Sequence, residues 1–526
     1  MSGPDDETFA SDPGDDRVPM AVVGEPSDPS GDGPGGPATG TTGPRVARRR
    51  PSQRPVAGRT AALIAVVVVL VGVGLVSLAA PPPSAPSAPS AGDGAVVAPV
   101  DAQVGSFFCT TGSGIDAGAG ALTTVVLTNT TRTPVHGVAA TVGQLSATPV
   151  LTDVVVPARG SVAMTPPTGS TTTAAATTFS FPRGGITGTA VIAGPQGWST
   201  APCTSQVAGQ WDFAGGATAT GLLDLSLYNP TAAASVVDVT FLTASGTVLE
   251  PQAYQGLALV PGQLVVEALG AYVQNQAVVA TLVQATSGAL VATELDDMVV
   301  PSGSGLALLS GSPGPGTTWR FAQTTAVNGG SVTLAVANPG SAPVTAAISV
   351  GLPGASVEPH QLSVPGNSVA TFTPSATAGW PLGSPYSLTV SASGPVIVGR
   401  TVVAPTGAAA PQGGIATGTT SLARYWLVVG PGVPGSPVVA GGAIRTLAVA
   451  DPGPTPVAVT VSPLGGGAPV VTMRVPAGGV IVPGQNQVGG LRPLMVSASG
   501  PVTVEADETP TGAPGIVSFA GFPISG

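Results

Sequence analysis

From Asp101 onward, apolar and small polar residues alternate in short runs broken by Gly, Pro, Asn and Asp. A period of two predicts half-buried β-strands closed by turns. The clearest runs are LTTVVLTNTT at 122–131, LLDLSLYNP at 222–230, SVTLAVANP at 331–339 and IRTLAVADP at 444–452, each stopping at an Asn or Asp turn. A second alternating run follows each turn. An aromatic strand precedes each, at Phe107-Phe108, Trp211 with Phe213, Trp319 with Phe321, and Tyr425-Trp426. The Trp positions lie 108 and 107 residues apart, and closing glycines at Gly288, Gly394 and Gly500 are 106 apart. Val-Pro elements recur at Pro157, Pro261, Pro365 and Pro476.

The unit is therefore about 105 residues with about seven strands, the size of an antiparallel sandwich of immunoglobulin-like type and too long for one propeller blade of 40–45 residues. A unit of that size can bury its own core, so the copies are expected to behave as independent beads with small interfaces. The expected units are 101–205, 206–310, 311–417 and 418–526.

The pattern changes before residue 100. Residues 61–80, AALIAVVVVLVGVGLVSLAA, are uncharged and long enough for a helical span. Six Arg lie at 45–59 just before them, which puts the N-terminus in the cytoplasm by the positive-inside rule. The expectation is a signal anchor at 61–80, a disordered tail at 1–60 and a Pro-rich stalk at 81–100. The repeats would then lie outside the cell membrane.

Composition sharpens this in two places. Charged residues make up 8% of the 526-residue chain and the net charge is −10. Beyond residue 80 there are 17 acids against 9 Arg, which argues against a nucleic-acid partner. The two cysteines, Cys109 and Cys203, bracket the first copy and read as one structural disulfide in an oxidising compartment.

Chemistry-bearing motifs are sparse. His136 and His360 fall in non-equivalent places and read as surface turn residues. No metal-ligand spacing or nucleophile motif is seen, so no catalytic residue, metal or cofactor is expected. Asp296-Asp297 and Asp507-Glu508 each follow a last strand and read as solvated hinges rather than calcium sites. Asn129-Thr130-Thr131 matches a glycosylation acceptor. Trp211, Trp319 and Trp426 recur, which favours core packing. Trp198 and Trp380 do not recur, which makes them candidates for ligand stacking.

With its tail, anchor, stalk and tandem repeats carrying Leu-x-(Val/Leu)-x-Asn-Pro and Val-Pro-Gly turns, the chain resembles an actinobacterial family of membrane-anchored secreted proteins catalogued as domain of unknown function 5719. The repeats resemble bacterial immunoglobulin-like modules related to cell adhesion. The resemblance implies an envelope protein of no known activity and transfers no functional residue. The expected role is a non-enzymatic scaffold, spacer or adhesion-like binder whose partner is an envelope protein or wall glycan. A polysaccharide-binding accessory role is the alternative and an extracytoplasmic hydrolase the third.

Overall fold

The computed structural model describes residues 95–97, 102–111, 122–144, 146, 148–167, 174–194, 196–300, 303–324, 330–352, 357–374, 380, 385–403, 413–433, 435–436, 443–488, 490, 492–511 and 516–524. These fall within one compact unit, Ala85–Gly526.

The alternating runs form strands, and the strands form four blades. In the first blade, one antiparallel sheet runs Gly105–Thr110, Ala175–Phe181, Val135–Gly143, Val150–Val156. The other runs Gly160–Met164, Leu122–Asn129, Ile186–Gly194, Gly197–Pro202. Phe107, Val125, Leu127, Phe179 and Ile192 are buried in one cluster shared by both sheets. The second blade repeats this plan from Gln210–Gly216 to Gly303–Ser310. In the third and fourth, one long strand, Tyr386–Val403 or Leu494–Pro510, pairs in both halves of the blade.

Two sequence signals meet in each core. The indole N–H groups of Trp211, Trp319 and Trp426 donate to the carbonyls of Leu290, Val396 and Val502 at 2.7, 2.8 and 3.1 Å. Each acceptor lies two residues past a closing glycine. The constant spacing is thus one buried hydrogen bond made three times, which satisfies the only polar atom of a fully buried ring. The first blade has Phe107 there, which stacks on Phe179 at 5.0 Å.

The blades close into a ring. Their innermost strands, Gly197–Pro202, Gly303–Ser310, Gly413–Thr417 and Val517–Ala520, pack each on the next, and the fourth returns to the first. They surround a central cavity of about 80 Å³. Gly305 faces the carbonyl of Gly413, and Gly414 that of Ile516, so closely that a Cβ would collide with the backbone. The first and last blades share one apolar cluster, in which Val126, Val191 and Trp198 join Trp426, Leu447 and Phe522.

This four-blade, propeller-like arrangement overturns the expectation of tandem immunoglobulin-like sandwiches after a transmembrane helix, and with it the string of independent beads. Alternation places strands and their inner faces, but it does not say what the outer faces meet. Here the outer faces meet other blades. Leu295, Leu306 and Leu308 of the second blade lie in the first blade's cluster, and Leu242 and Ala280 of the second lie in the third's. Burying those faces also removes the need for the charged surface that the chain lacks.

No helix among the described residues is long and apolar enough to cross a membrane. Their apolar residues alternate along strands and form no continuous apolar helix of the length a span needs. That goes against the expected single-pass membrane protein with a cytoplasmic N-terminus. The run at 61–80 and the tail at 1–60 lie outside the described residues. The expected stalk at 81–100 is described only at 95–97, where it belongs to the ring. Ala95 and Val97 are buried in the fourth blade's cluster, and Val97 bridges in parallel to Ile524.

Candidate functional site between the blades

Each junction is built from equivalent positions. Phe108, Asp212 and Arg320 occupy one place on the first strands of blades one to three. Each exchanges paired backbone hydrogen bonds with the second residue past its own blade's innermost strand, Thr204, Ser312 or Thr419. Across the junction, counted back from the turn Asn or Asp, stand Tyr228, Ala337 and Ala450 of the next blade.

The first junction is filled. Tyr228 packs with Val142, Ala176, Leu264 and Val291, and Phe108 lies against them. The Tyr228 hydroxyl hydrogen-bonds to Thr178 at 2.8 Å, and burial raises its pKa.

The second junction is open. With Ala337 in place of tyrosine, a cleft of about 530 Å³ remains between the second and third blades. That volume lies within the range of small-ligand sites. Gln210, Asp212, Gln284 and Glu250 bring polar groups, Leu242 and Leu282 an apolar wall, and the third blade adds Pro339 and Asn367. Asn367 takes a left-handed φ of 53°, which Asn tolerates in a turn. The Asp212 carboxyl is fixed by Gln210, whose Nε2 donates to both oxygens at 2.9 and 3.2 Å. Burial pushes Asp212 up to about 7, and the Gln210 bond opposes that. Asp212 can therefore hold or give up a proton near neutrality, beside the exposed carboxylate Glu250.

The third junction carries the opposite charge on its first strand. Arg320 and Asp451 line a cleft of about 270 Å³ there, with Gly351 and Ala450. Behind it lies a buried ion pair. Arg400, inside the third blade, reaches Glu505 of the fourth at 2.5 Å and Asp507 at 3.6 Å. It also donates to the Gln323 carbonyl and lies 5.2 Å from the Phe321 ring centre. Burial lifts Asp507 to about 7, against the pull of Arg400.

Two further carboxyls sit inside the second blade. Burial raises Glu294 to about 7, and burial with the nearby Glu294 raises Asp296 well above its usual range. Asp296 accepts from the Ala217 N–H at 3.2 Å. The equivalent of Asp296 in the fourth blade is Glu508, which pairs with Arg445 at 2.7 Å.

The sequence-predicted residues are scattered through the ring. Cys109 and Cys203 form the disulfide, with Cα atoms 4.6 Å apart. Gly188 lies under both sulfurs, and a Cβ there would sit 2.6 Å from the Phe107 ring. Trp198 and Trp380 offer no stacking face. Trp198 is 4% exposed in the fourth blade's cluster, and Trp380 is 8% exposed, edge-on to Phe372 at 5.3 Å. His136 and His360 lie in strands, not turns, and His360 stacks on Phe372. Asp296-Asp297 and Asp507-Glu508 are strand residues between or within blades, not solvated hinges. The Asn129 amide is buried and donates to Thr133 and Val156, so it is no exposed glycan acceptor. Among the described residues no group of three or more His, Cys, Asp or Glu could hold a metal ion.

The reading from sequence missed Asp212. Its signal was present, because Phe108, Asp212 and Arg320 each follow the first core aromatic by one residue. Residues at one repeat position that differ in charge mark a face freed from the core.

Residues 173–431 match the model described as a family of unknown function, DUF5719. That region is therefore an all-β domain of unknown function, and it holds the second and third blades with the whole open cleft between them. No curated protein matches. Among solved structures, that of Thermotoga maritima 1070 is 16% identical and aligns over 20% of this chain and 96% of its own, with a TM-score of 0.19. A likeness at that score carries no argument about fold or role.

Proposed function

We propose that this chain is a non-enzymatic binding scaffold, a ring that presents polar clefts between its blades to a partner. The observation that carries the reading is the cleft between the second and third blades. It is roomy, it is lined by amides and carboxyls, and its equivalent at the first junction is filled by Tyr228. The disulfide supports a working place outside the reducing cytosol.

A second reading, a polysaccharide-binding accessory protein, is favoured by one feature. Gln210, Gln284, Asn367 and Glu250 offer the donors and acceptors that sugar hydroxyls need. The test is retention of the purified chain on immobilised wall glycans and on envelope proteins, with Gln284→Arg as the blocked variant. Gln284 is exposed, so a new cation there alters the cleft and spares the core. Retention on a protein that Gln284→Arg abolishes supports the scaffold. Retention on glycan selects the accessory reading, and glycan cleavage lost in Asp212→Asn selects a hydrolase. Equal retention of native chain and variant sinks the cleft as the binding surface.

A further inference from the structure

Three blades carry Asn at the turn that closes the first alternating run, and the fourth carries Asp. Asn129, Asn229 and Asn338 do the same work. Their Oδ1 atoms accept from the N–H two residues on, in Thr131, Thr231 and Gly340, at 2.8, 3.0 and 3.0 Å. Their Nδ2 atoms donate to the carbonyl four residues on, in Thr133, Ala233 and Ala342, at 2.9, 2.8 and 2.8 Å. Each Nδ2 also donates across the blade, to Val156, Leu259 and Val364 at 3.2, 3.1 and 3.2 Å.

Asp451 keeps the first bond. Its Oδ1 accepts from the Gly453 N–H at 2.8 Å. Its Oδ2 then stands where the others carry an amide NH2, is buried, and has no hydrogen-bond partner. The carbonyls in the matching places are Thr455, four residues on, and Val475. Val475 pairs with Val457 as Val364 pairs with Val344 and Val156 with Val135. An ionised carboxylate only accepts, so it would set a third acceptor against two carbonyls. A protonated carboxyl donates and restores one of the lost bonds.

We propose that Asp451 is a proton-binding site, which holds the fourth blade's turn closed while protonated and loosens it on ionisation. Asp451 lines the cleft between the third and fourth blades together with Arg320. Proton loss there also turns a cleft with one cation into one with a cation and an anion. The other charged groups on neighbouring elements are engaged or turned away. Arg400 holds Glu505 and Asp507, Arg445 holds Glu508, and Arg474, beside Val475, is exposed. Burial raises the Asp451 pKa, in the direction the geometry requires, with the Gly453 bond opposing.

The test compares thermal unfolding of the full chain with that of Asp451→Asn across pH. Asn is the residue three blades already carry, so the variant keeps every bond of the turn. A raised folded pKa means stability that is present at acid pH and lost as pH rises through that pKa. The variant should sit slightly above native in acid, where it keeps one donor bond more, and the gap should widen by about 2 °C or more in base. The other buried acids are common to both and cancel. A gap that is constant, or that closes as pH rises, overturns the proposal. So does a calcium-induced rise in the native melting point that Asp451→Asn abolishes, because the oxygens would then hold a metal ion instead of a proton.

Discussion

The first and second junctions share one backbone plan and have opposite interiors. Phe108 and Tyr228 make the first an extension of the apolar core. Asp212 and Ala337 stand in the same places at the second, where the blades leave about 530 Å³ between them. The backbone bridges that fix the two positions, Phe108 to Thr204 and Asp212 to Ser312, are alike. The ring therefore does not depend on filling every junction. Cores within blades and the packed innermost strands carry closure, and the outer positions are free to vary. Three junctions show three solutions: apolar, acidic, and one lined by both Arg320 and Asp451.

If that division is right, substitutions should rank by how much of a junction they empty. The largest loss is expected at the third junction from Arg400→Met. The side chain is fully buried, and its removal strands Glu505, which is itself buried. Breaking one partner of a buried pair costs about 3–5 kcal/mol. Urea denaturation at neutral pH reads this directly. A loss under about 1 kcal/mol would show that the pair adds little to stability.

Tyr228→Ala comes next and converts the closed junction to the open type. Truncating a buried aromatic costs about 3 kcal/mol. The Thr178 hydroxyl loses a partner as well. Because the first blade has its own disulfide and core, the variant should keep its ring and lose stability only. Limited proteolysis should cut it no faster than the native chain between the first and second blades. Rapid cutting there would mean that Tyr228 holds the ring shut, and the comparison with the second junction would fail.

How much of this was legible beforehand follows from which face each residue shows. Trp211, Trp319 and Trp426 were readable as core because they recur at one spacing, and that spacing is a repeated hydrogen bond. The Asn turns were readable for the same reason. The ring was not, because closure rests on outer faces such as Leu295, Leu306 and Leu308, whose alternation looks the same whether they meet water or a blade. Gly305 and Gly414 have no side chain to join the alternation, and their role is to let neighbouring backbones approach. Trp198 misled because it lacks a repeat partner. It is unique through its place at the ring's closure, against the fourth blade.

The smallest expected effect is the most specific to the open junction. Asp212 is buried at its floor, and burial lifts its pKa from 3.8 to about 7. A raised folded value means that stability is full below the unfolded pKa and is lost as pH rises through about 7. Asp212→Asn removes the titration and keeps a side chain that can pair with Gln210. A tenfold change in proton affinity corresponds to about 1.4 kcal/mol, and solvent in the open cleft reduces the total, so a gain of about 2 kcal/mol is expected in base. In acid the gain should vanish. The exposed rim acid Glu250 supplies the contrast, since Glu250→Gln should change stability by less than about 0.5 kcal/mol. Chemical denaturation of both variants at pH values on either side of the transition separates them. Equal behaviour of the two would mean that Asp212 is as well solvated as Glu250, and that the second junction is a surface groove with no buried acid to set it apart from the first.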